Sequence, residues 1–223
     1  MTNSGPGVHK KAKNRGTESP AASAMKHLKK ADPVLYAASL PHYKDIEANM
    51  THRRSYKKLF EALAGSIVSQ QLSVKAADTI WKRLETACAG VVTPEAILKL
   101  RAPTMRKAGL SAAKTKTLKE LSRAVHTRTL VLASLARIQE ESAIEQLSSI
   151  WGIGRWTAEM FLIFALERED VFSVGDLGLR RSVEALYVLP KDAPAKDIEA
   201  IAAAWAPHRS FASRALWRIR DSV

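Results

Sequence analysis

The sequence predicts an all-α protein of about ten helices joined by short turns, and three observations carry that prediction. From about residue 26 onward, apolar residues recur at spacings of three and four, the period of a helix with one buried face. No stretch alternates with period two for long enough to make a sheet. Helix-start signals are present, the clearest being Thr93-Pro94-Glu95, with a capping hydroxyl and a proline at the first helical position.

Residues 1–25 lack this periodicity and are rich in Gly, Pro, Ser, Lys and Ala. They read as a disordered basic tail, leaving residues 26–223 as one helical domain. Leu59, Phe60, Leu63, Ile67 and Val68 form one apolar helix face. After the polar step Ser69-Gln70-Gln71, Ala76, Ala77, Ile80, Trp81 and Leu84 form another. Leu118, Leu121 and Val125 continue the pattern, as do Leu147 and Ile150. Ala158, Phe161, Leu162, Ala165 and Leu166 mark a strongly apolar helix expected at the centre of the fold. Val183, Leu186 and Tyr187 lie on the next helix, and Ile198, Ile201, Ala202 and Trp205 on a later one.

With 223 residues, 46% hydrophobic and 26% charged, the chain can form one compact domain or two small lobes around a cleft. No apolar run approaches the roughly 20 residues that span a bilayer. The basic N-terminus is not followed by the apolar stretch of a secretory signal. Residues 1–30 hold seven Lys/Arg and one acid, so the net charge of +13 divides into +6 there and +7 in the remainder. A polyanion is the natural partner of such a chain, solubility alone being the plainer account. The single cysteine, Cys88, excludes an intramolecular disulfide and any four-cysteine zinc or iron–sulfur site.

The most informative stretch is LSSIWGIGRWTAEMFLIFAL, residues 147–166. A short helix ends, Gly152-Ile153-Gly154 makes a tight turn, and a new helix starts at once. Glycines allow left-handed dihedrals and a close backbone approach. The amides opening the second helix lack internal partners and sit at its positive end, a seat for phosphate that needs no particular side chain. Ile153 would point inward and lock the two helices. A helix corner with a glycine cap is the ordinary alternative.

The full string resembles the helix–hairpin–helix superfamily of DNA glycosylases, most closely the 3-methyladenine DNA glycosylase II family. The likeness continues through DVFSVGDLGLRR (170–181), upstream to SIVSQQLSVKAADTIWKRL (66–84) and KAGLSAAKTKTL (107–118), and downstream to Trp205–Phe211 with Trp217. It covers roughly residues 30–220 and implies two helical lobes around a central cleft, with no iron–sulfur cluster. It also implies that Asp176, about 20 residues past the hairpin, is the catalytic residue. Asp176 equally suits a helix N-cap, and the two roles are compatible. Breaking an N-glycosidic bond develops positive charge on the sugar, which a fixed carboxylate stabilises while it orients or deprotonates water. Where strand-cleaving relatives carry a nucleophilic lysine, this chain has Trp156. Water is then the expected nucleophile and an abasic site the product.

The resemblance also places residues around the base and the backbone. A flipped, cationic alkylpurine would stack in an aromatic pocket, at about 0.5–2 kcal/mol per contact. Trp156 and Trp217 match pocket positions, Phe211 would assist, and Met160 stands where some relatives have tyrosine. Core packing is the competing account for Phe211 and Trp217, and the favoured one for Trp205. A side chain of the Gln70-Gln71-Leu72 loop would fill the gap in the stack, Gln71 first and Leu72 second. Gln71 could instead bond the helix end it follows. Ser111 and Lys114 would face phosphate from a second gripping turn. Arg155 and Thr157 would do so from the hairpin. The carbonyls of Ser148, Ile150 and Ile153 would hold a monovalent Na+ or K+, no cofactor being required.

The expected protein is thus a monomeric glycosylase of base excision repair acting on damaged double-stranded DNA. It would release 3-methyladenine and 7-methylguanine in the cytoplasm or nucleoid of a bacterium, or in a eukaryotic nucleus. Deaminated or etheno adducts are the alternative substrates. A noncatalytic DNA-binding module is the alternative class, against which Asp176 stands, since binding phosphate gives no use for an acid.

Overall fold

The computed structural model describes residues 18–50 and 58–222. Its regular elements are helical. The first three α-helices are α1 (Pro20–Ala31), α2 (Pro33–Ser39) and α3 (Tyr43–Met50). Then come α4 (Leu59–Ser69), α5 (Val74–Ala87), α6 (Pro94–Lys99), α7 (Ala102–Lys107) and α8 (Ala112–His126). The chain continues through α9 (Glu140–Ser148), α10 (Arg155–Phe164) and α11 (Leu177–Leu186), and ends with α12 (Ala195–Ala203) and α13 (Arg209–Arg220). The expected starts are in place: Thr93 Oγ1 accepts from the Ala96 amide at 3.1 Å, with Pro94 as the first residue of α6.

Two hydrophobic clusters organise these helices. Residues of α4 through α10 build the first. The second joins the first and last helices of the described residues, with Leu28 and Leu35 from α1 and α2 packed among residues of α11, α12 and α13. Trp217 lies against both clusters. In α10, every residue from Thr157 to Ile163 is buried, the polar Thr157 and the acid Glu159 among an otherwise apolar run. It packs on α9 and α4 and carries the hairpin at its start. No helix among the described residues is long and apolar enough to cross a membrane.

The expected tail boundary needs correction. The helix α1 starts at Pro20, capped by Ser19, and buries Ala21, Ala24, Met25 and Leu28. Those four positions form an i, i+3, i+4, i+7 stripe, but half of it is alanine, so composition masks it. Residues 1–17, the rest of the expected tail, lie outside the described residues. The acid Asp32 fastens this N-terminal layer. It caps α2 through the Leu35 amide and accepts from Tyr187 Oη and, at 2.7 Å, from Trp205 Nε1. Trp205 is fully buried, in line with its expected core role.

A second tie between the chain ends is an imidazole pair. The His27 and His208 rings meet edge-on at 5.5 Å, with His208 Nε2 3.4 Å from Ser23 Oγ and His27 Nε2 2.9 Å from the Ala204 carbonyl. Burial pushes the His208 imidazole below its usual 6.5 and His27 adds to this, against the pull of Glu169 and Asp170. A depressed histidine pKa favours the fold fully above pH 6.5 and loses that contribution as pH falls through the folded value. His208→Gln is therefore expected to narrow the drop in urea midpoint between about pH 7.5 and about pH 5.5.

The hairpin turn has its own steric demand. Gly152 sits at φ +85°, and a Cβ there would lie 2.2 Å from Thr117 Oγ1 of α8. Gly152→Ala should lower stability by more than about 1 kcal/mol, since the left-handed dihedral and the clash add. Adding Thr117→Ala removes the 2.2 Å clash with Oγ1 but leaves the dihedral and a 3.2 Å approach to the Thr117 Cβ, so melting temperature should recover only in part.

Candidate active site

Asp176 opens α11 as its N-cap and stands at the meeting of three helices. Its Oδ1 accepts from the Leu179 amide at 2.8 Å and from Trp217 Nε1 of α13 at 3.0 Å. Its Oδ2 accepts from Trp156 Nε1 of α10 at 2.7 Å. A carboxylate has about four acceptor positions. Oδ1 therefore has both of its positions used, while Oδ2 keeps one open. Trp156 is 46% exposed, so this side of the carboxylate faces outward.

The strand of chain leading to Asp176 is fastened from below. The Asp176 amide donates to Ser173 O at 3.0 Å, and Ser173 Oγ donates to Glu159 Oε2. Glu159, buried inside α10, also accepts from Arg155 Nε at 3.0 Å. Burial pushes the Glu159 carboxyl up, opposed by the hydroxyl of Ser173 and the guanidinium of Arg155. Hairpin helix and aspartate loop are thus joined through a buried acid.

Several expected positions differ. Arg155, expected on phosphate, makes a bidentate pair with Glu141 at 2.6 and 2.8 Å besides its bond to Glu159, and so bridges α9 and α10. Lys114 likewise turns inward, donating to the Val68 and Gln70 carbonyls at 2.7 Å each. Thr157 is buried and accepts from Gln70 Nε2 at 3.2 Å. Met160 and Phe211, expected in the base pocket, are buried in the first and second clusters respectively. Met160 lies in a helix buried nearly all round, where periodicity does not separate pocket from core, and Phe211 takes the core packing that its spacing already offered.

Other expected positions keep an open aspect. Gly154 begins α10 with no side-chain cap, leaving the first amides of that helix to an outside acceptor. Ile153 is buried as expected, and its amide donates to Ile150 O at 3.0 Å across the turn. Ser111 caps α8 through the Lys114 amide at 3.1 Å and remains exposed. Gln71 is exposed, at φ +56°, and Leu72 beside it is exposed as well.

The aromatic environment includes residues that sequence reading missed. Trp217 stacks on Phe164, with centroids 5.4 Å apart and planes at 29°, and the Arg214 guanidinium lies 4.5 Å above the other ring. Both rings, with Glu61, Gly65, Trp81 and Arg214, help line a cavity of about 910 Å³. Asp176 and Trp156 do not line it. Trp217 connects the two regions, its ring on the cavity and its N–H on Asp176. Phe164 belongs to an apolar run that reads as core throughout, so no local signal distinguishes it. Beside the hairpin, Trp151 is also exposed, with Lys116 Nζ 4.2 Å above its ring.

Comparison with known proteins fits this arrangement. The family model described as HhH-GPD superfamily base excision DNA repair protein matches residues 64–208. The chain is 36% identical over 165 residues to DNA-3-methyladenine glycosylase 1 of Schizosaccharomyces pombe, covering 73% of this chain and 72% of that protein. The crystal structure of a DNA-3-methyladenine glycosidase from Bacillus halodurans superposes with a TM-score of 0.68 at 37% identity, covering 73% of this chain and 75% of the other. The Schizosaccharomyces pombe 3-methyladenine DNA glycosylase in complex with abasic DNA superposes with a TM-score of 0.64 at 32% identity, covering 88% and 95%. The matched segment contains the hairpin, Asp176 and the Gln70–Leu72 loop, and the chain belongs to the HhH-GPD superfamily of base excision DNA repair proteins.

Proposed function

We propose that this protein is a monofunctional DNA glycosylase that hydrolyses the N-glycosidic bond of alkylated purines, 3-methyladenine and 7-methylguanine, and leaves an abasic site. The observation that carries the reading is the Asp176 carboxylate held between two indole N–H groups, with one position of Oδ2 open. Relatives named for 3-methyladenine release support the substrate class. The partner is damaged double-stranded DNA bound by a monomer, in the nucleoid or nucleus.

In this reading the amide of Gly154 and those at the start of α10 take a phosphate, the Ile153 amide already donating to Ile150 O, and Ser111 takes another. The target base rotates out of the stack, and Gln71, with Leu72 beside it, fills the gap. As the glycosidic bond lengthens, positive charge grows on the deoxyribose and the fixed carboxylate stabilises it. The open position of Oδ2 receives a proton of the attacking water, which adds to the sugar carbon as the base departs with the bonding electrons. A base already carrying positive charge leaves with little acid assistance. Trp156 stands where an amine would have to be for attack on the sugar, so strand cleavage has no nucleophile. We assign the carbonyls of Ser148, Ile150 and Ile153 to a monovalent cation that stiffens the turn, with no chemical step passing through it.

The test is excision from duplexes carrying 3-methyladenine, 7-methylguanine, hypoxanthine or ethenoadenine. Wild type should release the two methylated bases fastest, with no borohydride-trapped adduct and no strand break. Asp176→Asn should slow release by about 100-fold or more while duplex affinity persists. Unchanged release in that variant would remove Asp176 from the role. Faster release of hypoxanthine or ethenoadenine would move the substrate class to deaminated or etheno adducts.

A further inference from the structure

The loop that carries Gln71 is held in a conformation it would not keep unaided. Its backbone leaves α4 at Gln70 with φ −48° and ψ 129°, and Gln71 then adopts φ +56°. A left-handed dihedral at a residue with a side chain costs roughly 1–2 kcal/mol and persists only where neighbours hold it. Two side chains do so. Lys114 Nζ, from the first turn of α8, donates to Val68 O and Gln70 O at 2.7 Å each. Gln70 Nε2 donates to Thr157 Oγ1, on the helix that follows the hairpin, at 3.2 Å. The last carbonyls of α4 have no backbone amide of the helix to accept from, and an ammonium placed there also meets the negative end of its dipole. The lysine is half-buried, and burial pushes its pKa down, as expected of a cation turned away from solvent.

Gln71 is the exposed member of this assembly and makes no hydrogen bond among the described residues. A side chain that displaces a base transmits force only if its backbone does not yield. Loop disorder would return as an entropy cost each time the gap is filled. We propose that Lys114 is a positioning residue for base flipping: it fixes the Gln70–Leu72 loop so that Gln71 enters the stack, and it does not bind phosphate. The proposal rests on the assignment of Gln71 as the gap-filling residue. It also implies that the second gripping turn, through Ser111 and Lys114, moves as one body with the wedge.

The experiment uses full-length Lys114→Met, Lys114→Arg and Gln71→Ala. The DNA carries 7-methylguanine paired with cytosine or unpaired in a bulge, with 2-aminopurine beside it to report unstacking. Lys114→Met should lower single-turnover release from the paired lesion by about tenfold and lose most of the 2-aminopurine signal. Release from the bulged lesion, which is already unstacked, should stay within about twofold of wild type. Lys114→Arg, which retains donors for both carbonyls, should recover most of the loss. The slope of log affinity against log salt should not change in Lys114→Met. A slope reduced by about one with flipping intact would make Lys114 a phosphate ligand and overturn the proposal. Equal losses on paired and bulged lesions, with a lowered melting temperature, would reduce it to a fold support and overturn it too. Gln71→Ala keeps the premise separate: wild-type unstacking in that variant would sink the gap-filling assignment itself.

Discussion

Three helices, two of them consecutive and the third at the far end of the chain, meet on one carboxylate. Asp176 takes the Leu179 amide of its own helix, Trp217 from α13 and Trp156 from α10. An acid in such a crease is unfavourable unless donors replace the water it loses, and here three N–H groups do. The constraint reaches outward. Trp217 packs against both hydrophobic clusters, so the relative placement of the two halves is also the placement of one donor to Asp176. The second cluster exists because the first and last helices among the described residues meet, which brings α13 alongside α2, α3 and α11.

Part of the chain's basic character is used in contacts within the fold. Lys119 Nζ donates to the Ile97 and Leu98 carbonyls at 2.7 and 2.9 Å, Arg168 to Leu135 and Ile138, and Arg180 to Ala193. With Lys114 and Arg155, these cations neutralise helix ends and join elements. Net charge therefore overstates the number of side chains directed at phosphate. In the proposed function the grip on DNA rests more on helix-opening amides, whose donors are fixed by the backbone and do not depend on a flexible side chain.

This explains which parts were legible in the sequence. Helix positions follow from local periodicity, and the central burial of α10 follows from its apolar run. The hairpin glycines, the Thr93 cap and the N-cap role of Asp176 are likewise local. What could not be read depends on partners far along the chain. Lys114 finds carbonyls about 45 residues away, and Arg155 finds Glu141 on the preceding helix. Residue type alone sends such cations to phosphate; the fold sends them inward. Phe164 and Arg214 escaped notice for a related reason, since their stack with Trp217 joins α10 to α13. Met160 went the other way, a polarizable side chain that its helix turns into core, while Phe211 took the core packing that its spacing had left open.

Trp156 is where local and distant constraints combine. As a residue two places past Gly154 it occupies the first turn of α10, whose position the hairpin sets. As a donor it reaches a carboxylate on α11 and uses one position of Oδ2. A lysine there would bring a flexible amine, able both to pair with Asp176 and to attack the sugar. An indole brings one N–H of fixed direction and a flat face, and it has no nucleophile to offer. The substitution therefore acts twice on the proposed reaction. It leaves water as the only attacking group and narrows where that water binds, because one oxygen of Asp176 is full and the other has a single position left.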